Sequence, residues 1–243
     1  NLGVKVDLLR YFDEIRENLK QNPSADYIAS RGEYLNAVLV AAFLGYDFVD
    51  TKDLIKFDAK GKLLMTETDE AIRAELEKHE RAVLPGFYGS LPDGSVKTFS
   101  RGGSDITGAL VARAMEADVY ENWTDVSGFL MADPRIVKNP QQIRKISYKE
   151  LRELSYMGAS VLHEDAIYPA RMANVPINIR NTNAPEDPGT MITGEAEAYS
   201  DEGEKRIITG IAGSKDFTVV ALYKNMMSSE RGFVRRILGD RKS

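Results

Sequence analysis

Apolar residues recur every three to four positions at Val4, Leu8, Leu9, Phe12, Ile15 and Leu19, which predicts an amphipathic helix over residues 4–20. Asn22-Pro23-Ser24 ends it. The same period returns at Leu35, Val38, Leu39 and Phe43 and predicts a second helix over residues 32–44. The pattern then shortens to a strand at residues 47–50, with Leu54, Ile55 and Phe57 close behind and a turn at Asp58-Ala59-Lys60-Gly61. Residues 68–79 read as a charged surface helix. An apolar run from Ala82 to Phe87, a hairpin-type turn at Leu91-Pro92-Asp93-Gly94 and a strand at Val96 and Phe99 follow.

The next stretch concentrates the chemistry. Lys97-Thr98-Phe99-Ser100-Arg101-Gly102-Gly103-Ser104-Asp105 leads into Ile106, Leu110, Val111 and Ala114 at helical spacing, which reads as strand, two-glycine turn and helix over residues 106–117. Ser104 or Asp105 is the expected N-cap. Such a terminus aims backbone N–H groups outward at the positive end of a helix, where phosphate or carboxylate is stabilised. Arg101 adds a planar fork that can hold a carboxylate. Taken alone, the stretch reads equally well as a capped surface turn. Glu33, near the start of the second predicted helix, reads equally well as a complement to that helix's dipole, and Phe87 as a core side chain.

Residues 118–126 form a predicted strand ending in Thr124-Asp125, so the order strand–helix–strand implies a parallel sheet. Ligands of such sheets lie beyond the carboxyl ends of the strands. Arg101-Gly102-Gly103 and Thr124-Asp125 both fall on that edge. Asp133-Pro134-Arg135 is a loop, and Ser147 with Glu150 has capping-box spacing at the start of a helix over residues 147–157. A helix over 165–173 and strands over 175–180 and 190–193 follow, with His163 read as structural. Residues 194–206 are acidic and unpatterned, a linker between a domain of residues 1–193 and a smaller one over 207–243. The smaller domain opens with strands at 207–211 and 217–223 and a helix at 232–238.

Composition narrows the function classes. A formal charge of −5 argues against a nucleic-acid partner. The absence of cysteine excludes disulfides and thiolate metal sites, and two histidines, His79 and His163, make a histidine-based metal cluster or Ser-His-Asp arrangement a poor fit. No apolar run approaches the roughly 18 residues that span a bilayer, so no membrane partner is expected and the default compartment is the cytoplasm.

Phe87-Tyr88-Gly89-Ser90, Arg101-Gly102-Gly103-Ser104-Asp105, Trp123-Thr124-Asp125-Val126, Asp133-Pro134-Arg135 and Gly158-Ala159-Ser160-Val161-Leu162-His163 resemble, in order, the motifs of aspartate kinases. Asn181-Thr182 and Pro188-Gly189-Thr190 look like the end of that family's catalytic domain, and Ile207 onward is similar to the first half of an ACT domain. The resemblance implies an α/β fold, a three-layer α/β/α sandwich of the amino acid kinase type, followed by the start of an α+β ACT-like domain. It implies transfer of the γ-phosphoryl of ATP, with Mg²⁺, to the β-carboxylate of L-aspartate. Residue by residue, Arg101 matches the arginine that holds the substrate α-carboxylate and Glu33 the glutamate that pairs with its α-ammonium. Phe87 and Ser104 match substrate-pocket positions, Gly102 and Gly103 the phosphate-binding turn, and Asp105 a catalytic aspartate. Thr124, Asp125, Arg135 and Val161 match positions that contact ATP. The resemblance also implies a lysine or threonine effector and a homodimer or larger homo-oligomer.

Leu130 and Ser160 depart from the family, standing where many relatives have a tyrosine and a lysine. The family's opening Lys-Phe-Gly-Gly-Ser segment, whose lysine meets the transferring phosphoryl, does not occur, so the chain is expected to be incomplete at both ends. Two other readings stand beside the kinase: a non-catalytic, amino-acid-binding regulatory fragment, and a kinase of the same fold acting on acetylglutamate, glutamate or uridylate. Glu33 together with Arg101 disfavours the last.

Overall fold

The computed structural model describes residues 3, 4, 6–156, 164–195, 208–213 and 235. The first helix, α1 (Leu8–Leu19), starts where Asp7 accepts a hydrogen bond from the Leu9 N–H, and it buries none of its residues. The second, α2 (Ala25–Leu44), begins two residues after Pro23 rather than at Gly32. Ser24 caps it by accepting from the Tyr27 N–H at 3.1 Å, and its early turns bury Ser30 and Arg31, polar residues that an apolar periodicity cannot count.

Strand β1 (Asp47–Phe48) pairs in parallel with β2 (Ala82–Val83), and α3 (Met65–Leu76) lies between them in sequence. Expected as a surface helix, α3 buries Thr68, Ile72 and Leu76 on one face. Strands β3 (Tyr88–Ser90) and β4 (Val96–Thr98) form the antiparallel hairpin that the turn predicts, closed by Gly94 N–H donating to the Leu91 carbonyl at 2.9 Å. Helix α4 (Gly103–Ala114) leads on to β5 (Tyr120–Thr124).

The expectation of a parallel β4–α4–β5 unit needs correction. β4 is bonded only to β3 among the described strands, whereas β5 edges a four-stranded sheet of order β5, β9, β10, β8. In that sheet β9 (Ile177–Asn181) runs parallel to β5 and antiparallel to β10 (Thr190–Thr193), and β10 runs parallel to β8 (Lys145–Ser147). The hairpin turn holds β4 against β3 locally. β5 takes instead a partner 57 residues away, Ile177 opposite Tyr120. Three short strands carry no distinct pattern in the sequence: β6 (Phe129–Leu130), β7 (Gln142–Ile143), antiparallel to β6, and β8. Helices α5 (Tyr148–Tyr156) and α6 (Glu164–Met172) complete the layer around the sheet. The capping box is formed as expected: Glu150 accepts from the Ser147 N–H at 3.0 Å and hydroxyl at 2.9 Å, and Ser147 Oγ accepts from the Glu150 N–H at 3.2 Å.

Two apolar clusters form the core. One gathers Ile143, Ile146, Leu151, Ile167, Ile177, Ile179 and Ile192 around the four-stranded sheet. The other gathers Val49, Ile55, Phe57, Ile72 and Leu76 between α3 and the first strands. α4 lies between them, giving Ala109 and Ala112 to the first and Leu110 and Ala114 to the second. Leu110 is fully buried, which is worth about 1.5–3 kcal/mol. The same helix that carries the two-glycine turn is therefore seated in both cores.

The chain separates into two compact units, Asn1–Gly213 and Ser214–Ser243, and in the second only Arg235, helical, is described. Residues 208–211, expected as a strand, are not one. They belong to the first unit, where the Ile211 N–H donates to the Met131 carbonyl at 2.7 Å and the Thr209 hydroxyl to the Glu150 carboxylate. Residues 157–163, 196–207 and 214–223 lie outside the described residues, and with them Val161, His163, most of the acidic linker and the remaining ACT-like elements except Arg235. No helix among the described residues is long and apolar enough to cross a membrane.

Candidate active site

The site is built on the start of α4. Gly102, at φ +55°, is the N-cap, and neither Ser104 nor Asp105 caps the helix; both lie in its first turn. The two-glycine turn lets the chain reverse in the left-handed region, two residues before Ser104 and three before Asp105. No side chain caps this terminus, so its first N–H groups remain available to an anion. Asp105, half-buried in the first turn, complements the positive end of the dipole.

Phe87 lies against this turn. A side chain on Gly103 would put its Cβ 2.5 Å from Phe87 Cβ, a separation no real pair adopts, so glycine alone permits the approach. Phe87 itself sits at φ +66°, a conformation that costs a non-glycine residue about 1–3 kcal/mol and persists only where its surroundings impose it. The surroundings are explicit. The Phe87 N–H donates to Thr107 Oγ1 at 3.0 Å, the Thr107 hydroxyl donates to the Gly103 carbonyl at 2.8 Å, and the Phe99 N–H donates to the Phe87 carbonyl at 2.9 Å.

Asp105 is held from the sheet. Asn122 on β5, buried, donates from Nδ2 to Asp105 Oδ1 at 2.9 Å and to the Tyr120 hydroxyl at 2.9 Å, and that hydroxyl donates to the Asp105 carbonyl at 3.3 Å. Burial, only partly offset by the hydrogen bond from Asn122, pushes the Tyr120 phenol up to about 12, and the charge of Asp105 adds to the rise. Tyr120 stays protonated and keeps its donor role at any physiological pH.

α2 reaches the same region by two routes. Arg31, buried, stacks on Tyr34 at 4.4 Å, Tyr27 at 4.5 Å and Tyr88 at 5.5 Å, and donates from Nε and Nη2 to Ser30 Oγ. Tyr88, next to Phe87 and fully buried, donates to Asp50 Oδ1 at 2.8 Å. Burial and the Asp50 charge hold its phenol far above the ordinary value. Asp26, in the first turn of α2, accepts from Thr98 Oγ1 at 2.6 Å and Lys97 Nζ at 3.0 Å, clasping the helix to β4 just before the glycine turn. Glu33 stands exposed in the third turn of α2. It is too far from Ser24 to complement the helix dipole, which acts within the first turn.

Arg101 and Ser104 are exposed at the mouth of the turn, and no described carboxylate pairs with Arg101. Thr124 ends β5, its carbonyl accepting from the Thr182 N–H at 2.8 Å and hydroxyl at 3.0 Å, and its own hydroxyl donates to Asp125 Oδ1 at 3.2 Å. Arg135 closes a fork on Asp133, Nη2 to Oδ2 at 2.7 Å and Nε to Oδ1 at 3.0 Å, while its side chain is 87% exposed. The structure thus brings together Phe87, Gly102, Gly103, Ser104 and Asp105, links them through Asn122 to the strand carrying Thr124, and leaves Arg135 apart. Asn122, Tyr120 and Thr107 are missing from the sequence reading. The alternation of Tyr120, Asn122 and Thr124 along one face of a strand is the pattern that points to them.

Residues 3–181 match the model of the amino acid kinase family. The chain is 36% identical to aspartokinase 3 of Bacillus subtilis over 93% of its own length and 52% of the relative. Among solved structures, aspartate kinase of Clostridium acetobutylicum superposes with a TM-score of 0.87 at 52% identity, covering 98% of this chain and 54% of that one. E. coli aspartokinase III in complex with aspartate and ADP superposes with a TM-score of 0.63 at 28% identity, over 70% of this chain and 40% of that one. The chain spans about half the length of the curated relatives it matches.

Proposed function

This chain belongs to the amino acid kinase family, with its α/β fold, and we propose that it forms the catalytic part of an aspartate kinase, transferring the γ-phosphoryl of ATP to the β-carboxylate of L-aspartate. The observation that carries this reading is the uncapped start of α4, with Arg101 free beside it and Asp105 fixed within it. The similarity to aspartokinases over nearly the whole chain supports the choice of acceptor.

The chemistry suits the residues. A β-carboxylate, with an ordinary pKa of about 3.9, is ionised at neutral pH and needs no general base. Positioning and charge neutralisation are what remain. Arg101 grips the aspartate α-carboxylate with its fork, Glu33 pairs with the α-ammonium, and Phe87 and Ser104 bound the pocket. The Gly102-Gly103 turn and the N–H groups of α4 meet the phosphoryl oxygens. Asp105 keeps cationic groups in register at the reacting centre. Thr124, Asp125, Arg135 and Val161 hold the nucleotide. One carboxylate oxygen of the substrate bonds to the γ-phosphorus as the bond to the β–γ bridging oxygen breaks. ADP leaves with that electron pair, and 4-phospho-L-aspartate forms without proton transfer.

A Mg²⁺ ion would come in on the ATP phosphates and water and supply charge neutralisation there. Residues 214–243, a compact unit of their own, begin an ACT-like domain whose effector is lysine or threonine, in a homodimer or larger assembly working in the cytoplasm. Lysine is supported by the E. coli enzyme, solved with lysine and aspartate.

The test is ADP release from MgATP with L-aspartate, and with L-glutamate, acetylglutamate and UMP as controls, the acyl phosphate being trapped by hydroxylamine. Turnover that depends on aspartate is expected. Turnover with another acceptor overturns the substrate, and aspartate binding without any turnover makes the chain a binding or regulatory fragment.

A further inference from the structure

Asn122 is buried on β5 and faces the first turn of α4. A carboxylate oxygen only accepts, so the Asn122 group at 2.9 Å from Asp105 Oδ1 is necessarily its amide nitrogen. The second proton of the same nitrogen goes to the Tyr120 hydroxyl at 2.9 Å, which passes its own proton to the Asp105 carbonyl. Asp105 is therefore tied at its side chain by the Asn122 amide and at its backbone by the Tyr120 hydroxyl that the same amide holds. The tie fixes which oxygen remains for chemistry: Oδ1 is occupied, while Oδ2 is turned to the glycine turn, 3.9 Å from where a Gly102 Cβ would stand. The approach depends on Gly108, since a Cβ there would fall 2.5 Å from the Tyr120 hydroxyl oxygen.

We propose that Asn122 is a positioning residue for phosphoryl transfer, acting through Asp105 by holding Oδ1 so that Oδ2 faces the reacting groups at the Gly102 turn. The inference rests on the catalytic reading of Asp105. Asn122 makes no contact with substrate. Its amide neither gives up nor takes a proton in the reaction, and its part is to stop the carboxylate rotating about χ2.

The test is a double-mutant cycle between Asn122→Leu, which keeps the volume and removes both donors, and Asp105→Asn, with kcat, both KM values and the melting temperature read for each variant. Asn122→Leu is expected to lower kcat by about 10- to 100-fold with the KM values for aspartate and ATP within twofold, and to cost less than twofold once Asp105 is already asparagine. Full multiplication of the two losses, or a loss confined to KM or to the melting temperature, overturns the proposal. A crystal structure of Asn122→Leu gives a second readout that needs no turnover. An Asp105 carboxylate rotated from its wild-type position supports the role, and an unmoved one overturns it. If the full-length protein turns over no aspartate, the kinase reading fails on its own account, and the position of the carboxylate still decides whether Asn122 holds it.

Discussion

Two regions of the site are built in opposite ways. Around Phe87, Gly103, Thr107 and Asp105, main chain and buried hydrogen bonds fix every group before any ligand arrives, at the cost of one residue held at φ +66°. Around Arg135 the groups are long, exposed side chains, and the arginine is closed on Asp133, two residues away. The first region suits a small acceptor that has to be placed to within a fraction of an ångström. The second suits a large, polyanionic ligand that can exchange one carboxylate partner for its own phosphates. Preorganisation is concentrated at the start of α4.

The most damaging way to break this contrast is Gly103→Ala. The added methyl meets Phe87 at 2.5 Å, and the fold is expected to lose about 2 kcal/mol in thermal unfolding, with aspartate affinity falling at least tenfold. Next, Arg101→Lys replaces a fork by a point charge: about a tenfold loss of aspartate affinity by calorimetry is expected, with ATP affinity unchanged. Equal loss of both ligands removes Arg101 from the acceptor side. Arg135→Ala is the converse, weakening ATP several-fold while the melting temperature stays within the change expected for ±0.5 kcal/mol, because its pair with Asp133 is exposed.

The smallest effect is acidic. Burial pushes Asp26 up, but hydrogen bonds from Thr98 and Lys97 outweigh it and hold the carboxyl below its ordinary value. Its contribution is therefore complete above the ordinary carboxylate pKa of about 3.9 and fades as pH falls through the lower folded value. Asp26→Asn is expected to lower stability slightly at pH 7 and to flatten the loss below pH 4, read from urea midpoints across pH. Asp133 is also held low, first by the hydrogen bond from Arg135, yet that arginine lies open to solvent and no matching acid step is expected from the pair.

The residues of the first region that sequence makes legible are those whose types declare their chemistry: Arg101, the two glycines, Asp105 and the Thr124-Asp125 strand end. The helix, hairpin and capping-box expectations hold for the same reason, since each rests on local pattern. What escapes is set by distance. Asn122 bonds to a residue 17 positions earlier, and β5 pairs with β9 more than fifty residues on, so neither leaves a local trace. Glu33 lies in the third turn of α2 and not near its start because Ser24, rather than the apolar period, decides where the helix begins.

The placement of α4 between two apolar clusters has a consequence for the order in which the molecule comes apart. A helix shared by both clusters cannot be released while either remains intact, so its amides are expected to exchange with solvent only through global unfolding, among the slowest of the chain. The segment that carries Gly103, Ser104 and Asp105 is then also among the last to lose its protection, and partial opening of the periphery leaves the glycine turn intact.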